Sequence, residues 1–188
     1  MKFIFLVVLI VIYIQSKSQC TKEDVERLRK VAFVIGESNY SSVNLPRLNN
    51  SLHDAVDIRD ALIRLNFTVE IDTNSNYNEI NKHFKKWISE ITFSDLALLY
   101  FSGHGGEMNG INYIYPIDAI IDNKQGFKNT TYSVNKLIDQ MESSNRKVNI
   151  IILDACRTLP VLKSASKRNL DIQSSFTGID LYKEHNNN

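Results

Sequence analysis

The chain has 188 residues, with 22 Lys+Arg against 21 Asp+Glu for a net charge of +1. That length suits one domain, and the balanced charge argues against a nucleic-acid partner held by bulk electrostatics. Hydrophobic residues make up 43% of the chain, enough to bury a core.

Lys2 precedes an apolar block, Phe3 to Ile14, which gives way to polar residues from Gln15 to Cys20. A basic start, a short apolar core and small residues at 16 and 18 describe a secretory signal cleaved after Ser18. The competing reading, a membrane anchor, needs roughly 17–25 apolar residues, and this block is shorter. Secretion is therefore expected, with membrane contact only through the signal; the alternative is a cytoplasmic protein whose N-terminal segment is no functional signal. Residues 19–30 form a lead-in segment. In an oxidising compartment Cys20 and Cys156 could pair, or Cys156 could stay free because it reacts. Asn39, Asn49, Asn66 and Asn129 begin Asn-x-Ser/Thr sequons, a weak signal in so asparagine-rich a chain.

In chain order, Thr21 to Lys30 reads as a short charged helix. Val31 to Gly36 reads as a buried strand, and Glu37 to Asn50 as a polar loop. From Ser51, the expected N-cap, to Leu65 the apolar residues recur at helical spacing. Phe67 to Ile71 is a second strand. A helix from about Asn78 to Ile91 would face the core through Ile80, Phe84, Trp87, Ile88 and Ile91. Leu98 to Phe101 is a third buried strand, expected to end in a tight Ser-Gly-His-Gly-Gly loop. Asn109-Gly110 signals a hairpin turn. Ser133 to Met141 is amphipathic, and Val148 to Leu153 is a fourth buried strand running into Asp154-Ala155-Cys156-Arg157. Strands alternating with helices specify an α/β architecture: three layers around a mainly parallel sheet of about four strands.

Right-handed crossovers place the ends of the third and fourth strands on one sheet edge, where catalytic groups collect. His104 stands at one of these ends and Cys156 at the other. A thiol is a good nucleophile only as thiolate, and a neighbouring imidazole generates it. Gly105 and Gly106 would let a substrate approach, and an exposed N–H there could meet a developing oxyanion, with the Cys156 N–H as second donor. Either residue alone is more often structural; together they point to nucleophilic catalysis. His53, His83 and His185 take structural or surface readings, and Tyr100, Tyr113 and Tyr115 read as core or site-wall aromatics. No glycine-rich phosphate loop follows the first strand in the required form, against a nucleotide-binding domain.

Val31 to Arg157 resembles the caspase-like cysteine peptidases, in particular the large-subunit-like region of paracaspases and metacaspases. The resemblance rests on VAFVIGESNY (31–40), LPRLNNSLHDAVDIRDAL (45–62), LLYFSGHGGEMNGINYIYPIDA (98–119) and VNIIILDACR (148–157). The histidine also lies about 50 residues upstream of the cysteine, the caspase interval. The resemblance implies a caspase-like domain over 31–162; the mostly polar composition of 163–188 predicts a mobile tail. The resemblance also implies an endopeptidase with His104 as general base and Cys156 as nucleophile, acting on protein or peptide without metal or cofactor, although some metacaspases use calcium for activation. It implies the Gly105 N–H, with that of Cys156, as the oxyanion hole.

It further implies cleavage after Arg or Lys, with Asp54 and Asp154 lining the pocket, since carboxylates take a guanidinium bidentately. Asp54 also fits a solvated first-turn acid favoured by the helix dipole. The family continues past the nucleophile with a small-subunit-like portion. The sheet is accordingly expected to be incomplete on its C-terminal side, with the missing wall supplied by another chain or a second copy. The alternative is a catalytically incomplete module that binds or regulates a partner peptidase.

Overall fold

The computed structural model describes residues 21–144, 147–156 and 172–173. The N-terminal apolar block, Cys20 and most of the 163–188 segment lie outside the described residues. Helix α1 (Lys22–Arg27) starts in a capping box, the Thr21 side chain accepting from the Asp24 N–H while Asp24 accepts from the Thr21 N–H. Strand β1 (Lys30–Gly36) is buried along its whole length. Helix α2 (Ser51–Arg64) is capped by Asn50, which makes no side-chain cap bond; Ser51, the expected cap, is instead a buried first-turn residue. Strand β2 (Phe67–Thr73) leads to helix α3 (Tyr77–Ile91), whose cap Asn76 forms a second capping box with Glu79.

Strand β3 (Leu96–Met108) turns through Asn109-Gly110, with φ of 55° and 75°, into β4 (Ile111–Ile114). This is the expected hairpin, both central residues in the left-handed region that such turns require. Helix α4 (Lys124–Thr130) and the two-residue β5 (Tyr132–Ser133), neither expected from sequence, precede helix α5 (Val134–Ser144). Strand β6 (Val148–Cys156) follows, and Ile172–Gln173 form β7 on the far end of β3.

Among the described residues there are seven strands, not about four, and the reason lies in β3. Its first part joins a parallel sheet in the order β2-β1-β3-β6. Its last residues leave that sheet and pair antiparallel with β4 and β7, and β4 carries β5. The parallel sheet is the four strands that hydrophobic runs reveal; the added strands are too short to show a period.

One face of the sheet packs Val31, Phe33, Ile35, Leu99 and Phe101 against α3 and α5. The other packs Ala32, Val34, Leu98 and Tyr100 against α2. This is the three-layer α/β arrangement expected. Trp87, 1% exposed, lies between Phe84 and Phe33 with ring centroids 5.8 and 5.9 Å away. Trp87→Ala should cost about 3–5 kcal/mol of unfolding free energy, the range for emptying a large aromatic site. Circular dichroism during urea denaturation checks this, since the chain has one tryptophan and the variant loses the fluorescence probe.

Candidate active site

Residues Ser102 to Gly106 do not form the expected loop. They continue β3, because successive neighbours satisfy their backbone. On one side of β3 the β1 partner ends at the Gly36–Ser102 pair, and β4 begins at Gly105–Ile114. On the other side β6 runs alongside up to the His104–Cys156 pair. The two candidate residues are therefore at the last rung of one parallel ladder, which is closer than strand-end logic alone demanded. The side chain of Cys156 lies outside what is described.

His104 is buried and held at three points. Its N–H donates to the Tyr40 hydroxyl at 2.7 Å, and its C=O accepts from the Tyr115 N–H at 3.0 Å. Nε2 lies 2.8 Å from the Pro46 carbonyl. A carbonyl only accepts, so Nε2 carries the proton and Nδ1 carries the lone pair. Nδ1 is buried and has no partner among the described residues. Burial lowers the pKa of the imidazole, with the Pro46 hydrogen bond opposing the shift. Burial therefore favours the neutral ring, with the Nδ1 lone pair left without a partner among the described residues.

Of the two expected oxyanion donors, the direction of the Gly105 N–H follows from the pairing of β3 with β4. The Tyr115–His104 bond makes 104/115 a bonded pair, so the adjacent Gly105–Ile114 pair is a non-bonded one. The Gly105 N–H thus points away from β4, toward the edge where β6 ends. Gly103, of which nothing was expected, and Gly106, expected to give a substrate access, both face close neighbours. A Cβ at 103 would sit 2.6 Å from the Tyr40 hydroxyl, and one at 106 would overlap the Tyr115 hydroxyl. Gly103 and Gly106 leave room for tyrosines that brace the histidine strand.

Asp54, half-buried in the first turn of α2, and exposed Asp154, the register partner of Ser102, both act on Tyr100. The Tyr100 hydroxyl lies 3.4 Å from Asp154 Oδ2. Burial pushes that hydroxyl up to about 12, with the Asp154 and Asp54 carboxylates adding to the shift. Two acids from different elements thus converge on one phenol, on the sheet face that carries His104.

Sequence reading missed three participants. Tyr40 and Pro46 were part of a polar loop, and their contacts with His104 span 64 and 58 residues. Glu37, in the same loop, is fully buried behind the site. Its N–H donates to the Ser102 C=O at 2.8 Å, and its Oε1 accepts from the Ser75 N–H at 3.1 Å. Its other oxygen has no partner among the described residues. All three lie within the resemblance motifs, Glu37 and Tyr40 in 31–40 and Pro46 in 45–62, without a role having been read for any of them.

Residues 29–183 match the family described as the caspase domain. The chain is 27% identical over 154 residues to human mucosa-associated lymphoid tissue lymphoma translocation protein 1, across 78% of this chain and 18% of that protein. It is 27% identical over 140 residues to the mouse homologue, across 71% and 16%. The chain thus spans less than a fifth of the length of these curated relatives. The crystal structure of the Drosophila initiator caspase Dronc superposes with a TM-score of 0.54 at 15% identity, covering 69% of this chain and 50% of that one. At that identity the likeness bears on the fold alone. The family match over most of the chain and the shared sheet architecture lead to one conclusion: this chain belongs to the caspase domain family.

Proposed function

We propose that this protein is a cysteine endopeptidase that cuts after Arg or Lys through a dyad of Cys156 and His104. The observation that carries the reading is the last rung of the β3–β6 ladder, which pairs positions 104 and 156 while the Pro46 carbonyl leaves Nδ1 of His104 as the open base. In this mechanism Nδ1 takes the thiol proton and the sulfur attacks the scissile carbonyl. The N–H groups of Gly105 and Cys156 stabilise the oxyanion. Collapse breaks the C–N bond, and the leaving amine takes the proton from His104. Water, deprotonated by the same nitrogen, then hydrolyses the thioester and frees the thiol.

The Asp54 and Asp154 carboxylates around Tyr100 support a cationic side chain before the cut. A small-subunit-like chain or a second copy is the proposed source of the remaining pocket wall. A secretory route is also part of the proposal, and the four sequon asparagines, all exposed, are compatible with it.

The test is kinetic. Asp154→Asn in the full chain should lower kcat/KM for a peptide ending in Arg by about tenfold to a hundredfold, the scale of losing one charged partner of a guanidinium. A peptide ending in the uncharged isostere citrulline should be cut at an unchanged rate. Equal losses for both peptides would contradict the acidic pocket.

A further inference from the structure

We propose that Tyr40 is a positioning residue for His104, its hydroxyl supplying a backbone rung that the sheet itself cannot make. This rests on reading His104 as the base.

The pairing of β3 has a gap at His104. The β1 partner of β3 ends opposite Ser102 and the β4 partner begins opposite Gly105, so His104 lies where neither strand is regular. In an unbroken antiparallel ladder the 104/115 pair would exchange two hydrogen bonds. One is made directly, from the Tyr115 N–H to the His104 C=O at 3.0 Å. The other runs through Tyr40: the His104 N–H donates to the hydroxyl at 2.7 Å, and the hydroxyl donates onward to the Tyr115 C=O at 3.2 Å. A hydroxyl has one proton to give and can accept another, so it fills this relay without leaving either backbone group unsatisfied.

Two further contacts tie the same side chain to the imidazole. The Tyr40 ring packs against the His104 ring with centroids 4.6 Å apart and planes 56° apart. The absence of a side chain at Gly103 opens the space the hydroxyl occupies, since a Cβ there would lie 2.6 Å from it. One residue therefore fixes both the backbone height of the histidine and one face of its ring, while the Pro46 carbonyl fixes Nε2. Without the hydroxyl, a buried N–H and a carbonyl lose their partner, and the strand can relieve that only by moving His104.

Tyr40→Phe in the full chain is the direct test, because it keeps the packed ring and removes only the relay. In nitrogen-15 labelled protein, exchange of the His104 amide should accelerate about tenfold or more, while the amide of Leu99 stays protected. The pH midpoint for iodoacetamide alkylation of Cys156 should rise by about one unit as the base drifts from its place. kcat should fall about tenfold with KM unchanged. Gly103→Ala is a less selective variant, since its Cβ would meet both the Tyr40 hydroxyl and the Phe101 ring at 2.6 Å.

His104 amide exchange and an alkylation midpoint both equal to wild type in Tyr40→Phe would overturn the proposal, even if the melting temperature fell. The base reading is tested separately. If His104→Ala leaves the wild-type alkylation profile unchanged, that reading fails, and amide exchange, which needs no turnover, still decides whether Tyr40 holds position 104.

Discussion

His104→Ala is expected to reduce kcat/KM for peptide cleavage by about three orders of magnitude, within the range for removing a positioned general base. The reason lies in its hydrogen bonds: Nε2 is committed to the Pro46 carbonyl, and the unpartnered Nδ1 is the nitrogen left to accept a proton. A second readout separates chemistry from folding. An unassisted thiol has a pKa near 8.5 and is only a few per cent ionised at pH 7. Iodoacetamide should therefore modify Cys156 in the wild type at a rate nearly independent of pH around neutrality. In His104→Ala the rate at pH 7 should fall about tenfold and recover as pH rises through the ordinary thiol range. Equal alkylation profiles in the two proteins would rule out the dyad.

The second large effect concerns stability. Burial pushes the Glu37 carboxyl from 4.5 up to about 9, and the Asp72, Asp118 and Glu79 carboxylates add to the rise while the Ser75 N–H opposes it. The folded protein therefore keeps a proton on Glu37 that the unfolded chain releases above about pH 4.5. Between those two values each pH unit should remove about 1.4 kcal/mol of stability. Below the lower value the group contributes no slope, and above the upper one the loss is complete.

Glu37→Gln is neutral throughout and keeps an oxygen for the Ser75 N–H. Its stability should track the wild type at pH 4, then exceed it increasingly up to pH 9. Urea denaturation at unit pH intervals reads the difference. Parallel curves for the two proteins from pH 5 to 9 would refute a protonated Glu37. Because the Glu37 N–H bonds the Ser102 carbonyl, two residues before His104, the same titration reaches the strand that carries the base.

Three of the four parallel strands were legible as apolar runs and β2 by its alternation, although only β1 and the middle of β3 are buried throughout. Helices α2, α3 and α5 were legible because their apolar residues recur at helical spacing. Ser102 to Gly106 was misread for a physical reason. Glycine, serine and histidine carry no strand propensity, and the stretch is extended only because β4 and β6 pair with it. Helix α4, seven residues long, and the two-residue strands β5 and β7 are too short for any periodicity to register.

At the site, residue type and topology together brought out His104, Cys156 and the glycines beside His104, while Asp54 and Asp154 came from the family resemblance. The groups that brace them did not emerge. Tyr40 acts through a hydroxyl across 64 residues, Pro46 through its backbone carbonyl, and Glu37 through burial inside a stretch that looks like a solvated loop. None of those roles is written in the residue's own neighbourhood. Tyr100 was read as a core or wall aromatic; its ring joins the α2-side core, and its hydroxyl meets Asp154.

The central claim is cleavage by a Cys156–His104 dyad after a basic residue, and one assay addresses it most directly. The full 188-residue chain and its Cys156→Ala variant are offered fluorogenic peptides ending in Arg, Lys, Asp or Asn. The account predicts release from the Arg and Lys peptides by the wild type alone. Release from the Asp peptide but not the Arg peptide, or equal release by Cys156→Ala, would contradict it.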